Sequence, residues 1–310
     1  MIAELLSHII FTSSMLRVIP VDASEPMVRL AAAPSYGFAT LPRAADRKVG
    51  PRKVHVDSYG VVTRAQSAIV VDAASGAVLY SKNANDPRAI GSITKLMAVY
   101  TFLQTNPELN SKVTLVYDDY VAGGRVYLRF DDAVYVYDVL KASLIGSDNT
   151  ATASLARLAG MTDDDFVAKM NANAAALGMT STHYADLSGV NASNTSTAFD
   201  LTKMLAAAEG NATMGNIMAM DAVTVSQASG YSVDIHATNE LLDSFLNTDT
   251  YHIVAGKTGY IPQAGYCLAT SVEHGKGRVR VVVLGAPTIG SRFVDAKGLA
   301  AWAFNTFSWE

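Results

Sequence analysis

The sequence predicts an α+β protein in which an antiparallel sheet, flanked by helices, carries an inserted and mainly helical lobe. Two observations predict this fold class. Near both ends of the chain, at residues 67–80 and 251–284, the residue pattern is that of β-strands. Between them, residues 92–220 show mostly helical spacing. Strands from both ends therefore pair in one sheet, and a cleft between the sheet and the helical lobe is the expected place for a substrate.

The composition is that of a globular protein with a large core. The chain has 310 residues, half of them hydrophobic, and a formal net charge of −4 with 17% charged residues. No basic surface is expected, so nucleic acid is an improbable partner. The single cysteine, Cys267, can form no intramolecular disulfide and lies in an apolar segment typical of a small core residue. The six histidines have no ligand spacing, so neither a metal nor any other cofactor is expected.

The first 63 residues are predicted to precede the folded domain. Residues 1–26 include an apolar run, Leu5 to Ile19, which is too short and too polar for a membrane span. The run favours an export signal or a disordered segment, and the signal is atypical because no Lys or Arg precedes it. Residues 27–63 mix Ala, Pro, Gly and basic residues without periodicity, which is typical of a linker. The folded domain is expected at residues 64–310.

The folded domain begins with a predicted hairpin, residues 67–72 and 77–80, around the turn Ala73-Ala74-Ser75-Gly76. A buried helix follows from Gly91-Ser92, because apolar residues cover nearly its whole circumference. Short extended segments are expected at 126–129 and 133–136. Further helices are predicted at 139–144, 150–158, 163–177 and 198–209, with Gly160, Gly178 and Gly210 ending the last three.

The period changes after residue 250. Residues 251–255, 266–272 and 278–284 alternate like strands, with 273–277 as the turn between the last two. A closing helix is predicted at 292–307, because its apolar side chains fall largely on one side.

The start of the buried helix carries a possible catalytic pair, Ser92 and Lys95. Residues three apart on a helix lie on the same face, which puts a nucleophile beside a base. An ordinary lysine is protonated at neutral pH, so catalysis requires that burial and the helix dipole lower the pKa of Lys95. Taken alone, the pair is also what a serine N-cap followed by an exposed lysine looks like. Two later motifs, Ser147-Asp148-Asn149 and Lys257-Thr258-Gly259, favour catalysis.

In this order, Ser-x-x-Lys, Ser-x-Asn and Lys-Thr-Gly resemble the signature of penicillin-binding proteins and class A β-lactamases. The chain is similar to the low-molecular-mass penicillin-binding proteins, the D-alanyl-D-alanine carboxypeptidase and endopeptidase family. The resemblance runs from about Ser67 to Phe307 and includes segments 177–179, 187–189, 196–201 and 264–268. It implies a β-lactamase/penicillin-binding transpeptidase-like fold, with the helical lobe at approximately residues 97–220.

The resemblance also implies a serine D,D-peptidase that acts through an acyl-enzyme. Ser92 attacks the carbonyl of the penultimate D-alanine, Lys95 accepts its proton, and Ser147 relays the proton to the leaving amine. The backbone N–H groups of Ser92 and Tyr260 form the oxyanion hole. The implied substrate-binding residues are Asn149 for the peptide backbone, Lys257 and Thr258 for the terminal carboxylate, Gly259 for clearance along the strand edge, and Arg292 as a further carboxylate ligand. For Arg292, simple solvent exposure at the start of the closing helix is the alternative.

Two other functions remain as alternatives. A β-lactamase shares the fold and the acylation step, but class A enzymes deacylate penicillin with a glutamate-activated water. None of the seven glutamates lies between Asn149 and Glu209, where that residue is expected, which favours a slow, penicillin-inhibited peptidase. A catalytically inactive wall-binding module is expected to lack a nucleophile or a base, and here both are present.

Within the peptidases, carboxypeptidase and endopeptidase activity both stay open. Carboxypeptidases of the family often carry a second β domain and an amphipathic anchoring helix, whereas this sequence stops at Glu310, directly after the predicted closing helix. This resembles the soluble endopeptidase branch, which cuts D-alanyl cross-links. The implied partners are peptidoglycan as substrate and β-lactams as inhibitors, with no strong membrane anchor evident. The implied location is periplasmic or otherwise extracytoplasmic, with a role in cell wall biogenesis and cell shape.

Overall fold

A computed structural model describes residues 49–310, so the expected export signal and most of the predicted linker lie outside the described residues. Within residues 49–310 the strands are β1 (Arg52–Lys53), β2 (Ser67–Asp72), β3 (Val78–Lys82), β4 (Arg88–Ala89), β5 (Lys112–Val113), β6 (Val134–Tyr135), β7 (Thr195–Ser196), β8 (Ala222–Ser226), β9 (Ser232–His236), β10 (Tyr251–Ile261), β11 (Gly265–His274), β12 (Gly277–Ala286) and β13 (Phe307–Ser308). The α-helices of the same residues are α1 (Thr94–Leu103), α2 (Val136–Leu144), α3 (Asn149–Leu158), α4 (Asp163–Ala176), α5 (Ala198–Gly210), α6 (Ala212–Met218) and α7 (Ile289–Thr306).

The central sheet has five antiparallel strands in the spatial order β10-β11-β12-β2-β3. Strand β2 is buried at all six positions because it lies inside the sheet with helices on both faces. Its pairing with β12 joins the beginning of the domain to its end, with Ile69 opposite Val282. Strand β10 lies at the edge of the sheet, and no strand of the described residues covers its outer side.

Two apolar cores cover the two faces of this sheet. One lies between the sheet and helices α1 to α6, and it includes Ile69, Ala255 and Val282. The other lies between the opposite face and α7, where Val281, Phe293 and Leu299 are buried. The alternation of side chains along each strand sends neighbouring residues into different cores, as period-two patterning requires. The result is the predicted α+β sheet with an inserted helical lobe.

The structure confirms most predicted elements and corrects several. The predicted hairpin is β2–β3, and the predicted helices correspond to α1 to α5 and α7 with small shifts at their ends. Residues 126–129 form no strand. The strand predicted at 251–255 extends to Ile261, so the Lys257-Thr258-Gly259 motif lies inside β10. Helix α6, inside the expected helical lobe, and the β8–β9 hairpin, which follows its expected end at about residue 220, were not predicted.

The last part of the predicted linker contacts the closing helix. Strand β1 pairs with β13, and the Val54 amide donates a hydrogen bond to the Thr306 carbonyl oxygen at 2.8 Å. The indole nitrogen of Trp302 donates to the Ser58 hydroxyl at 2.8 Å. The division at residue 64 stays a prediction, and these contacts attach residues 52–58 to the folded domain. Among residues 49–310, no helix combines the length and the apolar character that a membrane span requires.

Candidate active site

The predicted nucleophile, Ser92, lies in a 3-10 turn, Gly91–Ile93, that leads into α1. This turn packs against β10. Gly91 has a φ of +54°, and a Cβ on it would lie 2.8 Å from the backbone nitrogen of Tyr260. Only glycine therefore allows this close approach, which brings the Ser92 segment next to the amide that was predicted as the second oxyanion-hole donor. Ser92 is half-buried, so part of the residue is open to solvent.

Lys95 is completely buried one turn further along. Its Nζ lies 2.8 Å from Ser92 Oγ, 2.7 Å from Asn149 Oδ1 and 2.5 Å from the Ser188 carbonyl oxygen. Burial lowers the pKa of Lys95 to about 7, against the opposing influence of Asp186 and Asp148. The required shift of the Lys95 pKa is therefore present, and desolvation is its main cause.

The loop that supplies the Ser188 carbonyl was noticed in the sequence only as a family-like segment. Asp186 shapes it by accepting hydrogen bonds from the backbone amides of Ser188 at 2.9 Å, Gly189 at 2.5 Å and Asn191 at 2.6 Å. Gly189 has a φ of +87°, and a methyl group there would overlap the Gly91 carbonyl oxygen. The segment Asp186-Leu187-Ser188-Gly189 contains Asp, Ser and Gly, which are common in turns, and that composition was the only available signal.

Ser147 and Lys257 meet across the cleft. Lys257 is 1% exposed, and its Nζ donates a hydrogen bond to Ser147 Oγ at 2.8 Å. Ser147 has a φ of +59°, an uncommon conformation for a serine, and the turn is fixed because Asp148 caps α3 through the Ala151 amide. This turn also places Asn149 on Lys95, while the Asn149 side-chain nitrogen donates to the Ala122 carbonyl oxygen at 3.2 Å.

Thr258 and Gly259 face opposite sides of β10. The Thr258 hydroxyl lies 2.6 Å from the hydroxyl of Thr238, which follows the β8–β9 hairpin and was not predicted to contribute. Gly259 was expected to leave room for a substrate along the strand edge. That role stays a prediction, and the structure adds a second reason for a glycine, because a methyl group at Gly259 would overlap the Ile90 carbonyl oxygen. This glycine allows the nucleophile turn to pack on β10.

Arg292 is only 5% exposed, so the alternative of a solvent-exposed arginine is wrong. Its Nη1 donates to the Gly259 carbonyl oxygen at 3.4 Å, and its guanidinium lies over the Tyr266 ring. Burial lowers the pKa of Arg292, and burial together with Lys95 and Arg292 lowers the pKa of Lys257 well below its ordinary value. Within residues 49–310, none of these three cations has a carboxylate within 4.0 Å. The site therefore groups three basic side chains, whose protonated forms attract an anionic ligand.

Two residues with catalytic chemistry lie outside this constellation. Cys267 is fully buried, as expected of a core residue, and burial raises the pKa of its thiol to about 11. Glu209 forms an ion pair with Arg280 at 2.9 Å and accepts a hydrogen bond from Ser271. The first glutamate after the Ser-Asp-Asn motif in the sequence is thus held in a structural ion pair.

Comparison with known proteins identifies the family. The profile described as D-alanyl-D-alanine carboxypeptidase matches residues 54–288, which is more than half of the chain. The chain belongs to this family. As a member of the D-alanyl-D-alanine carboxypeptidase family it is a serine hydrolase of the D,D-peptidase class that acts on peptidoglycan.

Individual members of the D-alanyl-D-alanine carboxypeptidase family support the assignment. A D-alanyl-D-alanine endopeptidase of Pseudomonas aeruginosa is 33% identical over 239 residues, 76% of each chain. A D,D-transpeptidase of Streptomyces with a crystal structure has a TM-score of 0.73 and 30% identity, over 80% of this chain and 100% of its own. A D-alanyl-D-alanine carboxypeptidase of Mycobacterium tuberculosis has a TM-score of 0.72 and 28% identity, over 84% of this chain and 99% of its own.

Proposed function

We propose that Ser92 is the nucleophile of this D,D-peptidase, with Lys95 as its general base. The contacts of Lys95 Nζ carry the proposal. Asn149 Oδ1 and the Ser188 carbonyl oxygen can only accept hydrogen bonds, so they take the two N–H groups of a neutral amine. The remaining lone pair is left for the third contact, the Ser92 hydroxyl at 2.8 Å. A neutral Lys95 is therefore oriented to accept the Ser92 proton.

The developing negative charge requires fixed donors. We assign them to the backbone amides of Ser92 and Tyr260, because the turn that carries Ser92 packs on β10 beside the Tyr260 nitrogen. The Asn149 side-chain nitrogen has two hydrogens and uses one on Ala122, so the second is available for a substrate carbonyl. The edge position of β10 leaves room for an extended peptide beside it.

Lys257 provides the recognition of a terminal carboxylate. Its amine is buried, and no carboxylate of residues 49–310 lies within 4.0 Å of it, so a substrate or penicillin carboxylate would supply the missing negative charge and favour the protonated form. The Thr258 hydroxyl, held by Thr238, adds a directional donor, and the buried Arg292 guanidinium adds positive charge. We assign to Ser147 the transfer of a proton to the leaving amine, because its hydroxyl contacts Lys257 at 2.8 Å.

The leaving group decides between the two activities of the family. We propose endopeptidase action on D-alanyl cross-links as the main activity, with removal of terminal D-alanine as the second, because the relatives in Pseudomonas aeruginosa and Escherichia coli, 33% and 32% identical, are named endopeptidases. Work on cross-links places the enzyme outside the cytoplasmic membrane, and we propose the periplasm.

Fluorescent penicillin tests the nucleophile. Wild type is expected to give a label that survives denaturing electrophoresis, and Ser92→Ala is expected to give none. A Cys267→Ala variant serves as the matched control, because it removes the thiol, the other nucleophilic side chain considered, which is fully buried. Purified muropeptides then test the activity: split cross-linked dimers indicate endopeptidase, and D-alanine released from pentapeptides indicates carboxypeptidase. Persistent labelling of Ser92→Ala would refute the assignment, and rapid turnover of intact penicillin would favour a β-lactamase.

A further inference from the structure

A cavity of about 310 Å³ opens beyond the end of β10. We call it the Arg64–Arg88 cavity, after the two cationic side chains in its wall. Its lining includes Arg64, Gln66, Arg88, Tyr260, Tyr266 and Pro287. Tyr260 lines this cavity and also belongs to the candidate active site, so the two places are adjacent.

The cavity is positively charged and has no carboxylate in its wall. Within residues 49–310, neither Arg64 nor Arg88 has an ion-pair partner or a side-chain hydrogen bond, and Arg88 Nε is buried without any partner. Gly285, with a φ of +69°, packs directly on the Arg88 guanidinium, and a Cβ there would lie 3.1 Å from Nη2. A buried donor without an acceptor costs stability, so this arrangement is suited to an anionic ligand.

The position of the cavity defines the part of the substrate that reaches it. The proposed carboxylate ligands, Lys257 and Thr258, lie on β10 before Tyr260, whose amide is assigned to the scissile carbonyl. A peptide with its C-terminus at Lys257 therefore continues towards its own N-terminus past Tyr260 and towards the β10–β11 turn, whose residues Pro262 and Gln263 also line the cavity. Arg88 is four residues before Ser92, so the two Cα atoms are at most about 14 Å apart. About four residues of fully extended peptide span that upper limit, and the long arginine and acidic side chains shorten the stretch of backbone that is needed.

We propose that the Arg64–Arg88 cavity binds a carboxylate of the acyl-donor peptide, on a residue N-terminal to the D-alanine that acylates Ser92. This inference rests on the proposed function, because it takes its direction from the carboxylate site at Lys257. The donor peptide is then held at both ends by positive charge, with its backbone along the edge of β10. The paired rings of Tyr260 and Tyr266, 4.3 Å apart at their centroids, form the apolar wall between the two charged ends.

The expected contribution is moderate because Arg64 is exposed and Arg88 is partly buried. Charge-assisted hydrogen bonds to a partly exposed arginine pair give about a tenfold preference for a carboxylate over a neutral group. Recognition by this cavity therefore selects among stem peptides, and the chemical step at Ser92 is unchanged by it.

Competition with fluorescent penicillin tests the proposal without requiring turnover. Two peptides ending in D-Ala-D-Ala carry α-aminoadipic acid or its side-chain amide at the preceding residue. The peptide concentration that halves the labelling rate is measured for wild type, Arg64→Gln, Arg88→Gln, the double variant and Arg52→Gln. Arg52 is the matched control, because it is a highly exposed arginine that pairs with Glu310 and does not line the cavity.

Wild type and Arg52→Gln are expected to bind the carboxylate peptide about tenfold more tightly than the amide, and the double variant to bind both equally. Equal competition by the two peptides in wild type would overturn the proposal. So would a double variant that keeps the preference or loses affinity for both peptides alike. Because Arg64 is exposed, Arg64→Gln should still fold even if Arg88→Gln misfolds, and its preference for the carboxylate peptide over the amide can then be measured alone. Absence of penicillin labelling in wild type would refute the proposed function itself, and this inference with it.

Discussion

The pKa of Lys95 predicts how the acylation rate depends on pH. With a pKa of about 7 in the free enzyme, the neutral fraction of Lys95 is roughly 9% at pH 6 and roughly 91% at pH 8. The acylation rate should therefore rise about tenfold between these values and level off above pH 8. An unshifted lysine would give a rise of about a hundredfold over the same interval and no plateau below pH 10.

The assay is the second-order rate constant for labelling by fluorescent penicillin, measured from pH 5.5 to 9.5. Lys95→Met should label at least about a hundredfold more slowly at pH 8, which is the size expected for loss of a general base. Lys276→Met is the matched control, because this lysine lies in the exposed β11–β12 turn. A wild-type rate that climbs steadily beyond pH 9, or a Lys95→Met variant with the wild-type profile, would refute the role of a neutral Lys95.

Three further predictions follow from the packing around the site. Gly189→Ala should destabilise the fold by more than about 2 kcal/mol and slow penicillin labelling. Gly178→Ala, also at positive φ but with open space around it, should cost only about 1–2 kcal/mol and leave labelling unchanged. Urea unfolding measures the stability of both variants, and equal costs would contradict the packing argument. Asp186→Asn replaces one acceptor oxygen of the loop, so it should lower the free energy of unfolding by about 1–3 kcal/mol and slow penicillin labelling. If this variant keeps the urea midpoint and labelling rate of the wild type, the loop does not have this role. Cys267 should resist iodoacetamide at pH 8 in the folded protein and react in urea, and fast alkylation of the native state would show that the thiol is accessible.

The elements with strong local patterns were predictable from the sequence. The β2–β3 hairpin has two β-rich runs around a Ser-Gly turn, and α4 ends where Gly178 adopts a φ of +70°. The β8–β9 hairpin was missed although Val223 and Val225 alternate with polar residues, because its short strands follow directly on a long helical region. Exposure on one face makes such a hairpin weakly hydrophobic, so its periodicity is easily overlooked.

The candidate site was predictable as a set of residues but not as a geometry. Ser92 and Lys95 are close in sequence, so helical spacing was enough to predict their contact. The contact between Ser147 and Lys257 depends on the meeting of two lobes, and local periodicity does not encode it. For the same reason the Ser188 carbonyl on Lys95 could not be predicted, because it is a backbone group whose position depends on a distant loop.

The pairing of β2 with β12 has a consequence for how the chain folds. Strand β2 is apolar and buried at every position, and its long-range partner lies about 210 residues later. Until β12 is available, β2 can pair only with β3, and a two-stranded hairpin is marginally stable in water. Contacts of such high sequence separation slow folding. A chain truncated before residue 277 should therefore expose β2 and aggregate, and the hydrolase should gain activity only in the last cooperative step of folding, when the two ends of the domain close the sheet.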